Sequence, residues 1–220
     1  MMKTKAVVFD AYGTLFDVNS AAEKCKDKIG AKWETFANFW RTTQLEYTWL
    51  RSLMKRHKNF WDITEDSLDK SMEVFNINKN MKNELLSLYK ILSPYPEVKG
   101  VLEDLKKKNF KIAILSNGTY DLLNELVESN KLNNLFDDLF SIEEVKIYKP
   151  DPRVYELPIK KYKIKSDEIT FLSANTWDVS GGGNFGYNSI WVNRHNSAFD
   201  ILDFQPKNEI SNLTQLLDIV

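Results

Sequence analysis

The apolar run VVFDAYGTLF, residues 7–16, is the feature that most limits what this chain can fold into. It places Asp10 where a predicted buried strand gives way to a turn of small residues. In open α/β proteins, the groups that bind ligands and do chemistry lie at the carboxyl ends of the strands. Turn formation, in which an Asp bonds to its own backbone, would also explain an isolated acid here.

Polar clusters end three further apolar runs, and this repetition favours a functional site over simple turn chemistry. We interpret these runs as strands: IAILSNG at 112–118, VKIYKPD at 145–151 and ITFLSANTWD at 169–178. Within the first and third of these runs the strands are predicted at 111–116 and 169–172, and further strands at 139–142 and 189–192. Helices are predicted at 98–108, 121–130 and 152–162. Strands that alternate with helices predict an α/β fold with a doubly wound parallel sheet.

The chain between 18 and 94 has a different periodicity. Apolar residues recur there at helical spacing, as in Trp33, Phe36 and Trp40, and the segment contains no run rich in Val and Ile. It ends at the helix breakers Pro94 and Pro96. We predict an insert of three or four helices at 18–94, and a core domain made of 1–17 and 95–220. Because the insert follows the Asp10 turn, it is expected to cover the carboxyl edge of the sheet.

Charge and cysteine content limit the partners. The 30 basic and 31 acidic residues nearly cancel, so we expect no binding to nucleic acid or to an anionic membrane. The single cysteine, Cys25, has no partner for an internal disulfide, which is typical of a reducing compartment. No apolar stretch approaches the roughly 20 residues that a membrane span needs. No secretory signal precedes the first strand, and we expect a cytoplasmic protein.

The segments DAYGTLF, SNG, YKPD and NTWD, in this order and with a helical insert after the first, resemble the haloacid dehalogenase superfamily. More narrowly they are similar to the type II L-2-haloacid dehalogenases, and WRTTQLEYTWL in the insert extends the match. The resemblance implies a Rossmann-like core with a helical-bundle cap, and a homodimer. It also implies hydrolysis of (S)-2-haloalkanoic acids to (R)-2-hydroxyalkanoic acids through an aspartyl ester, without a cofactor or metal.

A phosphatase of the same superfamily, acting on a small metabolite, is the alternative. Such phosphatases carry a second Asp two positions after the nucleophile, where this chain has Tyr12, and a metal-binding acid where it has Ala174. A phenol with a reference pKa of about 10 is a poor acid for an alkoxide leaving group at neutral pH. A signalling receiver also carries an Asp at a strand end, but it needs acids before that Asp, and residues 1–9 contain none.

The resemblance gives roles to residues around a displacement at carbon. Asp10 is implied as the nucleophile, and Lys149 as the cation that keeps it ionised and aimed. Arg41 would receive the departing halide, which suits a delocalised guanidinium. Asn117 and Trp177 resemble the other halide-site residues, although Trp177 would also be explained by core packing.

Further residues would hold the substrate and the hydrolytic water. Ser116 and the backbone amides of Asp10, Ala11 and Tyr12 are expected to bind the substrate carboxylate, and Thr14 to fix the Asp10 loop. An apolar wall around the substrate is expected from Tyr12, Leu45, Phe60 and Trp177.

The water that cleaves the ester would be oriented or deprotonated by Asp178 together with Ser173 and Asn175. Asp178 could instead only hold Lys149, and the sequence leaves both roles open. Tyr155 resembles a family residue that supports Lys149 or Asp178. The sequence also leaves open whether a dehalogenase activity is low and whether fluorinated acids are the substrates.

Overall fold

One parallel sheet organises residues 4–220, the part of the chain that this computed structural model describes; of the predicted core segment 1–17, residues 1–3 lie outside it. The strands in this part are β1 (Ala6–Phe9), β2 (Lys111–Ser116), β3 (Asp138–Ser141), β4 (Ile169–Ser173), β5 (Asn188–Val192) and β6 (Asn208–Ile210). Their spatial order is β3-β2-β1-β4-β5-β6, and every pair is parallel. The predicted α/β fold class is confirmed.

The order of the strands reverses between β1 and β4. Along the chain the sheet grows from β1 through β2 to β3 on one side, and from β4 through β5 to β6 on the other. Phe9 at the end of β1 pairs with Ile114 on β2 and Leu172 on β4. In open α/β sheets, the crevice at such a switch point is where ligands bind. Asp10 lies at this position directly after β1.

Helices occupy the connections between successive strands from β1 to β5. The described helices are α1 (Ser20–Lys24), α2 (Lys26–Ile29), α3 (Trp33–Leu53), α4 (Phe60–Phe75), α5 (Lys82–Lys90), α6 (Val98–Lys107), α7 (Tyr120–Ser129), α8 (Pro152–Tyr162) and α9 (Thr176–Phe185). The first five lie between β1 and β2 and form the helical insert. Three or four helices were expected in the insert. Helices α1 and α2 are too short for apolar periodicity to identify each as a separate helix.

Two backbone contacts join the core to the helical insert where the chain enters and leaves it. The Asp17 N–H donates to the Ser93 carbonyl at 2.9 Å, and the Tyr95 N–H donates to the Leu15 carbonyl at 3.0 Å. The outgoing and returning segments therefore run side by side just beyond the Asp10 turn. This arrangement fixes one end of the insert close to the switch point.

Local sequence explains where several helices begin. The Asn59 side chain accepts the N–H of Asp62 at the start of α4, and the Thr119 hydroxyl accepts the N–H of Leu122 at the start of α7. Such side-chain acceptors satisfy amides that have no partner inside the helix. Pro152 occupies the first turn of α8, where its missing N–H costs nothing.

The predicted strand at 145–151 is wrong. The strand in this region ends at Ser141, a 3₁₀ helix follows at Ile142–Glu144, and the YKPD residues lie in a loop. The chain turns at Lys146, which has a left-handed φ of 51°. Pro150 has no N–H for a ladder, and the Lys149 N–H donates instead to the Asn117 side chain at 3.0 Å. Lys149 therefore reaches the sheet edge from a loop.

Two other features were not predicted. Strand β6 contains only Asn208, Glu209 and Ile210, and so short and polar a segment gives no strand signal. The Gly181–183 run lies in the second half of α9. A Cβ atom at Gly183 would lie 2.1 Å from the Phe204 ring, so close packing explains that glycine. No helix in the described part of the chain is both long and apolar enough to cross a membrane.

Candidate active site

The carboxylate of Asp10 lies at the switch point with donors on both oxygens. Its side chain is 7% exposed, and Oδ1 is 3.2 Å from the Lys149 ammonium. Oδ2 accepts from the Asn175 amide at 2.9 Å, from the Thr14 hydroxyl at 3.1 Å and from the Ser173 hydroxyl at 3.4 Å. These bonds fix the orientation of the carboxylate.

The two hydroxyl groups beside Asp10 are themselves oriented by backbone amides. The Thr14 oxygen accepts the Ala174 N–H at 2.8 Å, and the Ser173 oxygen accepts the Asn175 N–H at 3.1 Å. Each hydroxyl oxygen accepts a backbone N–H with one lone pair, and this bond orients the hydroxyl so that its proton points toward Asp10. These contacts support the expected part of Thr14 in fixing the loop.

Lys149 connects two buried carboxylates. Its Nζ atom donates to Asp178 Oδ2 at 2.8 Å as well as to Asp10, and the side chains of Lys149 and Asp178 are fully buried. Burial raises the pKa of Asp178 to about 6; the Lys149 charge acts against this shift and the Asp10 charge adds to it. One cation is thus shared between two acids.

Tyr155 holds the other oxygen of Asp178. Its hydroxyl donates to Asp178 Oδ1 at 2.7 Å. Burial raises the pKa of Tyr155 well above its usual value, with the Asp178 charge as the next cause, so the phenol stays protonated. The expected support of Asp178 by Tyr155 agrees with this geometry, and Tyr155 makes no direct bond to Lys149 among the described contacts.

Arg41 projects from α3 toward the Asp10 loop. One guanidinium nitrogen is 3.5 Å from the Tyr12 carbonyl, and the other donates to the Gln44 side chain at 2.9 Å. Gln44 is buried and also bonds to Thr64 and Tyr89. Sequence reasoning missed Gln44 and Tyr89. The available signal was the i, i+3 spacing, which places Gln44 beside Arg41 on one helix face.

Ser116 and Asn117 end β2 next to the Asp10 loop. The Ser116 hydroxyl oxygen accepts the Gly118 N–H at 3.0 Å, and Asn117 Oδ1 accepts the Lys149 N–H. Asn117 therefore also positions the loop that carries Lys149. Of the three backbone amides expected to bind a substrate carboxylate, that of Asp10 is already used, because it donates to the Leu172 carbonyl at 2.8 Å. The prediction that the Asp10 amide binds the substrate carboxylate is therefore wrong. For the amides of Ala11 and Tyr12 it stays a prediction.

The expected apolar wall is only partly assembled. The rings of Tyr12 and Phe60 are 5.2 Å apart, and Tyr12 also stacks on Tyr89 at 5.7 Å. Trp177, on α9, instead meets Trp49 of α3 edge to face at 5.4 Å. Leu45 is half-buried on α3.

A cavity lies between the helical insert and the YKPD loop. Its volume is about 460 Å³. The residues that line it are Trp49, Ser52, Leu53, Ile147, Tyr148, Lys149, Pro150, Asp151 and Trp177. The cavity thus reaches Lys149 from the side of Trp177. Within residues 4–220, no group of three or more His, Cys, Asp or Glu side chains is arranged to hold a metal ion.

The fold and this site define a class of hydrolases. Residues 4–186 match the family model described as haloacid dehalogenase-like hydrolase, and the chain belongs to this family. It is 41% identical over 214 residues to (S)-2-haloacid dehalogenase 1 of Pseudomonas sp. (strain CBS-3), with 96% of this chain and 94% of that protein covered. The resemblance to L-2-haloacid dehalogenases is confirmed.

Solved structures agree with this assignment. A crystal structure of a dehalogenase has a TM-score of 0.98 and 36% identity, covering 100% of this chain and 98% of the other. The L-2-haloacid dehalogenase from Xanthobacter autotrophicus with chloropropionic acid covalently bound has a TM-score of 0.91 and 31% identity, and 98% of each chain is covered.

Proposed function

We propose that this protein hydrolyses (S)-2-haloalkanoic acids to (R)-2-hydroxyalkanoic acids through an ester of Asp10, without a cofactor or metal. The observation that carries the proposal is the buried Asp10 carboxylate held by Lys149 at the end of β1. Tyr12 and Ala174 occupy the positions where phosphatases of the superfamily have acids. The relatives named (S)-2-haloacid dehalogenase and the structure with covalently bound chloropropionic acid support the same chemistry.

In the first step, an oxygen of Asp10 attacks C2 of the substrate. Oδ1 has one donor, the Lys149 ammonium, whereas Oδ2 has three. Oδ1 therefore has the more accessible lone pairs, and we assign it as the attacking oxygen. The new bond joins Oδ1 to C2, and the carbon–halogen bond breaks with its electron pair on the halide. Attack from the rear inverts C2.

Two groups would receive the departing halide. Arg41 supplies a delocalised cation from the helical insert, and Asn117 supplies an amide at the end of β2. The proposed role of Trp177 as a third halide-site residue has less support, since its ring packs on Trp49. The substrate carboxylate would bind Ser116 and the amides of Ala11 and Tyr12.

In the second step, water attacks the ester carbonyl carbon of Asp10. If Oδ1 forms the ester, Oδ2 becomes the carbonyl oxygen. The donors from Thr14, Ser173 and Asn175 then stabilise the negative charge that develops there. The carbonyl carbon–Oδ1 bond then breaks, and the departing alkoxide takes the proton that the attacking water gave to the base. The water oxygen stays in the Asp10 carboxyl group, whose remaining proton passes to solvent.

Asp178 accepts the proton from this water. Its carboxylate is bonded to Lys149 and Tyr155. Formation of the ester removes the Asp10 charge, which is one of the causes of the raised pKa of Asp178. Asp178 therefore becomes easier to ionise when a base is needed. Its other role, to hold Lys149, is compatible with the same contacts.

The wider organisation is part of the proposal. We propose that residues 18–94 act as a cap over the site, since Arg41 reaches the Asp10 loop from α3. A homodimer is supported by the apolar end of α3, where Leu50, Leu53 and Met54 are 50%, 80% and 60% exposed. A cytoplasmic location is supported by the unpaired Cys25.

Halide release from each enantiomer of 2-chloropropionate, with and without EDTA, tests the function. We expect release from the (S) enantiomer only, at an unchanged rate in EDTA, and an (R)-lactate product. Phosphate esters of small metabolites with added Mg²⁺ serve as the comparison. Phosphate release that depends on Mg²⁺, together with no halide release, would assign the protein to the phosphatases instead.

A further inference from the structure

The carboxamide of Gln44 uses all of its hydrogen-bonding positions inside the helical insert. Its nitrogen donates to the Thr64 hydroxyl at 2.6 Å and to the Tyr89 hydroxyl at 3.0 Å. Its oxygen accepts from Arg41 at 2.9 Å and from Tyr89 at 3.3 Å. An amide has two donors and two acceptor sites, so none is left over. The side chain is 1% exposed.

Neighbouring bonds determine which end of the amide faces Arg41. The Thr64 hydroxyl donates to the Phe60 carbonyl at 2.7 Å, so its oxygen is left to accept from Gln44. The guanidinium of Arg41 can only donate. The amide nitrogen must therefore face Thr64 and the amide oxygen must face Arg41. Rotation of the amide by a half-turn would break contacts at both ends.

Gln44 makes the shorter of the two hydrogen bonds that hold the Arg41 guanidinium. The other, to the Tyr12 carbonyl, is at 3.5 Å, the outer limit of such a bond. Arginine carries about 2 kcal/mol of side-chain conformational entropy, so a partly exposed Arg41 held only by that bond would sample other rotamers.

We propose that Gln44 is a positioning residue that orients the Arg41 guanidinium to receive the departing halide. This inference rests on the proposed dehalogenase function. The Thr64 and Tyr89 hydroxyls hold Gln44, and Gln44 holds Arg41 from inside the cap. Tyr89 also stacks on Tyr12, which couples the same network to the residue that supplies the second bond to Arg41.

A purely structural role would predict a different kinetic result. Gln44 also joins α3 to α4 and α5, so its loss will lower stability whatever Arg41 does. Halide charge, however, develops only as the carbon–halogen bond breaks, and a misaligned guanidinium weakens only that stage. Chloride is a poorer leaving group than bromide and needs more assistance. The bromide-to-chloride ratio of kcat/KM therefore reports on Arg41 alignment.

The test compares Gln44→Met with wild type on (S)-2-chloropropionate and (S)-2-bromopropionate. Methionine is similar in size but makes no such bonds. We expect kcat/KM for the chloro substrate to fall by about tenfold to a hundredfold, as for loss of one hydrogen bond to a charged group. The fall for the bromo substrate should be at least threefold smaller. Ser71→Ala removes a buried hydroxyl on α4 whose hydrogen bond, within residues 4–220, is to the Ser67 carbonyl, and it should leave the ratio unchanged.

Each outcome bears on the inference. An unchanged bromide-to-chloride ratio in folded Gln44→Met, with an active wild type, would overturn the role of Gln44 and leave the function standing. An inactive wild type on both substrates would overturn the proposed function itself. If Gln44→Met does not fold, Thr64→Val replaces it, since it keeps the Arg41 bond but releases one end of the amide. A smaller rise in the ratio is then expected, and no rise would overturn the inference.

Discussion

Lys149 lies closer to Asp178 than to Asp10. The Nζ atom is 2.8 Å from Asp178 Oδ2 and 3.2 Å from Asp10 Oδ1, and the lysine side chain is fully buried. A single buried cation therefore serves both the proposed nucleophile and the proposed base. Removing the charge of one acid strengthens the hold of the lysine on the other, and the two half-reactions become electrostatically linked.

The pH dependence of activity follows from Asp178. Its pKa is raised to about 6, chiefly by burial, so below that pH the group is protonated and is not a base. Asp178 acts as a base only after the ester has formed, so we expect an acid limb in the profile of kcat, measured where ester hydrolysis limits turnover. This limb should lie below about pH 6, because the ester has removed the Asp10 charge that helps to raise the pKa of Asp178. The profile of kcat/KM ends with the irreversible formation of the ester and should not show the limb of this base. Stopped-flow halide release and steady-state rates between pH 4 and 8 would separate the two profiles. The same limb in both profiles would argue against Asp178 as the base of the second step.

The free energy of unfolding should also depend on the ionisation of Asp178, but it should fall as pH rises, whereas activity should rise. The folded-state pKa of about 6 exceeds the ordinary value of 3.8, so the folded protein binds more protons between these limits. The stability contributed by protonated Asp178 is present below pH 3.8 and is lost as pH rises through about 6. Relative to Asp178→Asn, wild type should lose stability over this window in urea titrations. A constant difference between the two proteins would show that Asp178 is not protonated preferentially in the fold.

The covalent route predicts where the oxygen of water is found. A single turnover in H₂¹⁸O should put the label in the Asp10 carboxylate and none in the hydroxy acid, because water attacks the ester carbonyl carbon. Mass spectrometry of the peptide that contains Asp10 measures this label. Asp10→Asn should abolish turnover, since a neutral amide is a poor nucleophile. Label in the hydroxy acid after the first turnover would indicate direct attack of water on C2.

Arg41→Lys keeps the charge but loses the planar fork. A lysine ammonium is not expected to reproduce the contacts to Gln44 and Tyr12, so we expect kcat/KM to fall by about a hundredfold with little change in folding. Arg51→Lys is the matched control on the same helix, where the arginine pairs with Asp66 at the surface. It should retain the wild-type rate, which halide release would show. Equal rates in all three proteins would remove Arg41 from the halide site.

Arg194 joins the Asp10 loop to the segment that returns from the insert. Its guanidinium donates to the Thr14 carbonyl at 2.8 Å, pairs with Glu97 at 2.7 Å, and lies 3.7 Å from the centre of the Tyr95 ring. Arg194→Met leaves Glu97 nearly buried without its partner, and the free energy of unfolding should fall by about 3–5 kcal/mol.

The double variant Arg194→Met with Glu97→Leu separates stability from activity. Replacing both members of a buried pair by apolar residues is often close to neutral, so most of the stability should return in denaturant titrations. Turnover should stay low, because the Thr14 carbonyl still lacks its donor. Full recovery of turnover would show that Arg194 acts only on stability.

Much of the candidate site could be predicted from the sequence because its residues lie at the ends of predicted strands. At or just beyond the carboxyl ends of buried strands lie Asp10, Ser116, Asn117, Ser173 and Asn175, and parallel strands bring these ends to one edge. Lys149 was also identified, but for an incorrect structural reason, since it lies in a loop and not at the end of a strand. The YKPD motif supported the prediction of Lys149 as a site residue, whereas the apolar pattern of residues 145–151 wrongly predicted a strand.

The sequence by itself determined the fold class, the position of Asp10 and the helical nature of the insert, because these depend on local periodicity and on where apolar runs end. Only the tertiary structure decided how Lys149 is divided between Asp10 and Asp178, and how Arg194 meets Glu97 and Thr14. Arg194 and the Thr14 carbonyl are 180 residues apart along the chain, and a separation of that kind leaves no local pattern. The tertiary structure also determines the ionisation of Asp178, because its pKa depends on the exclusion of water by segments that are distant in sequence.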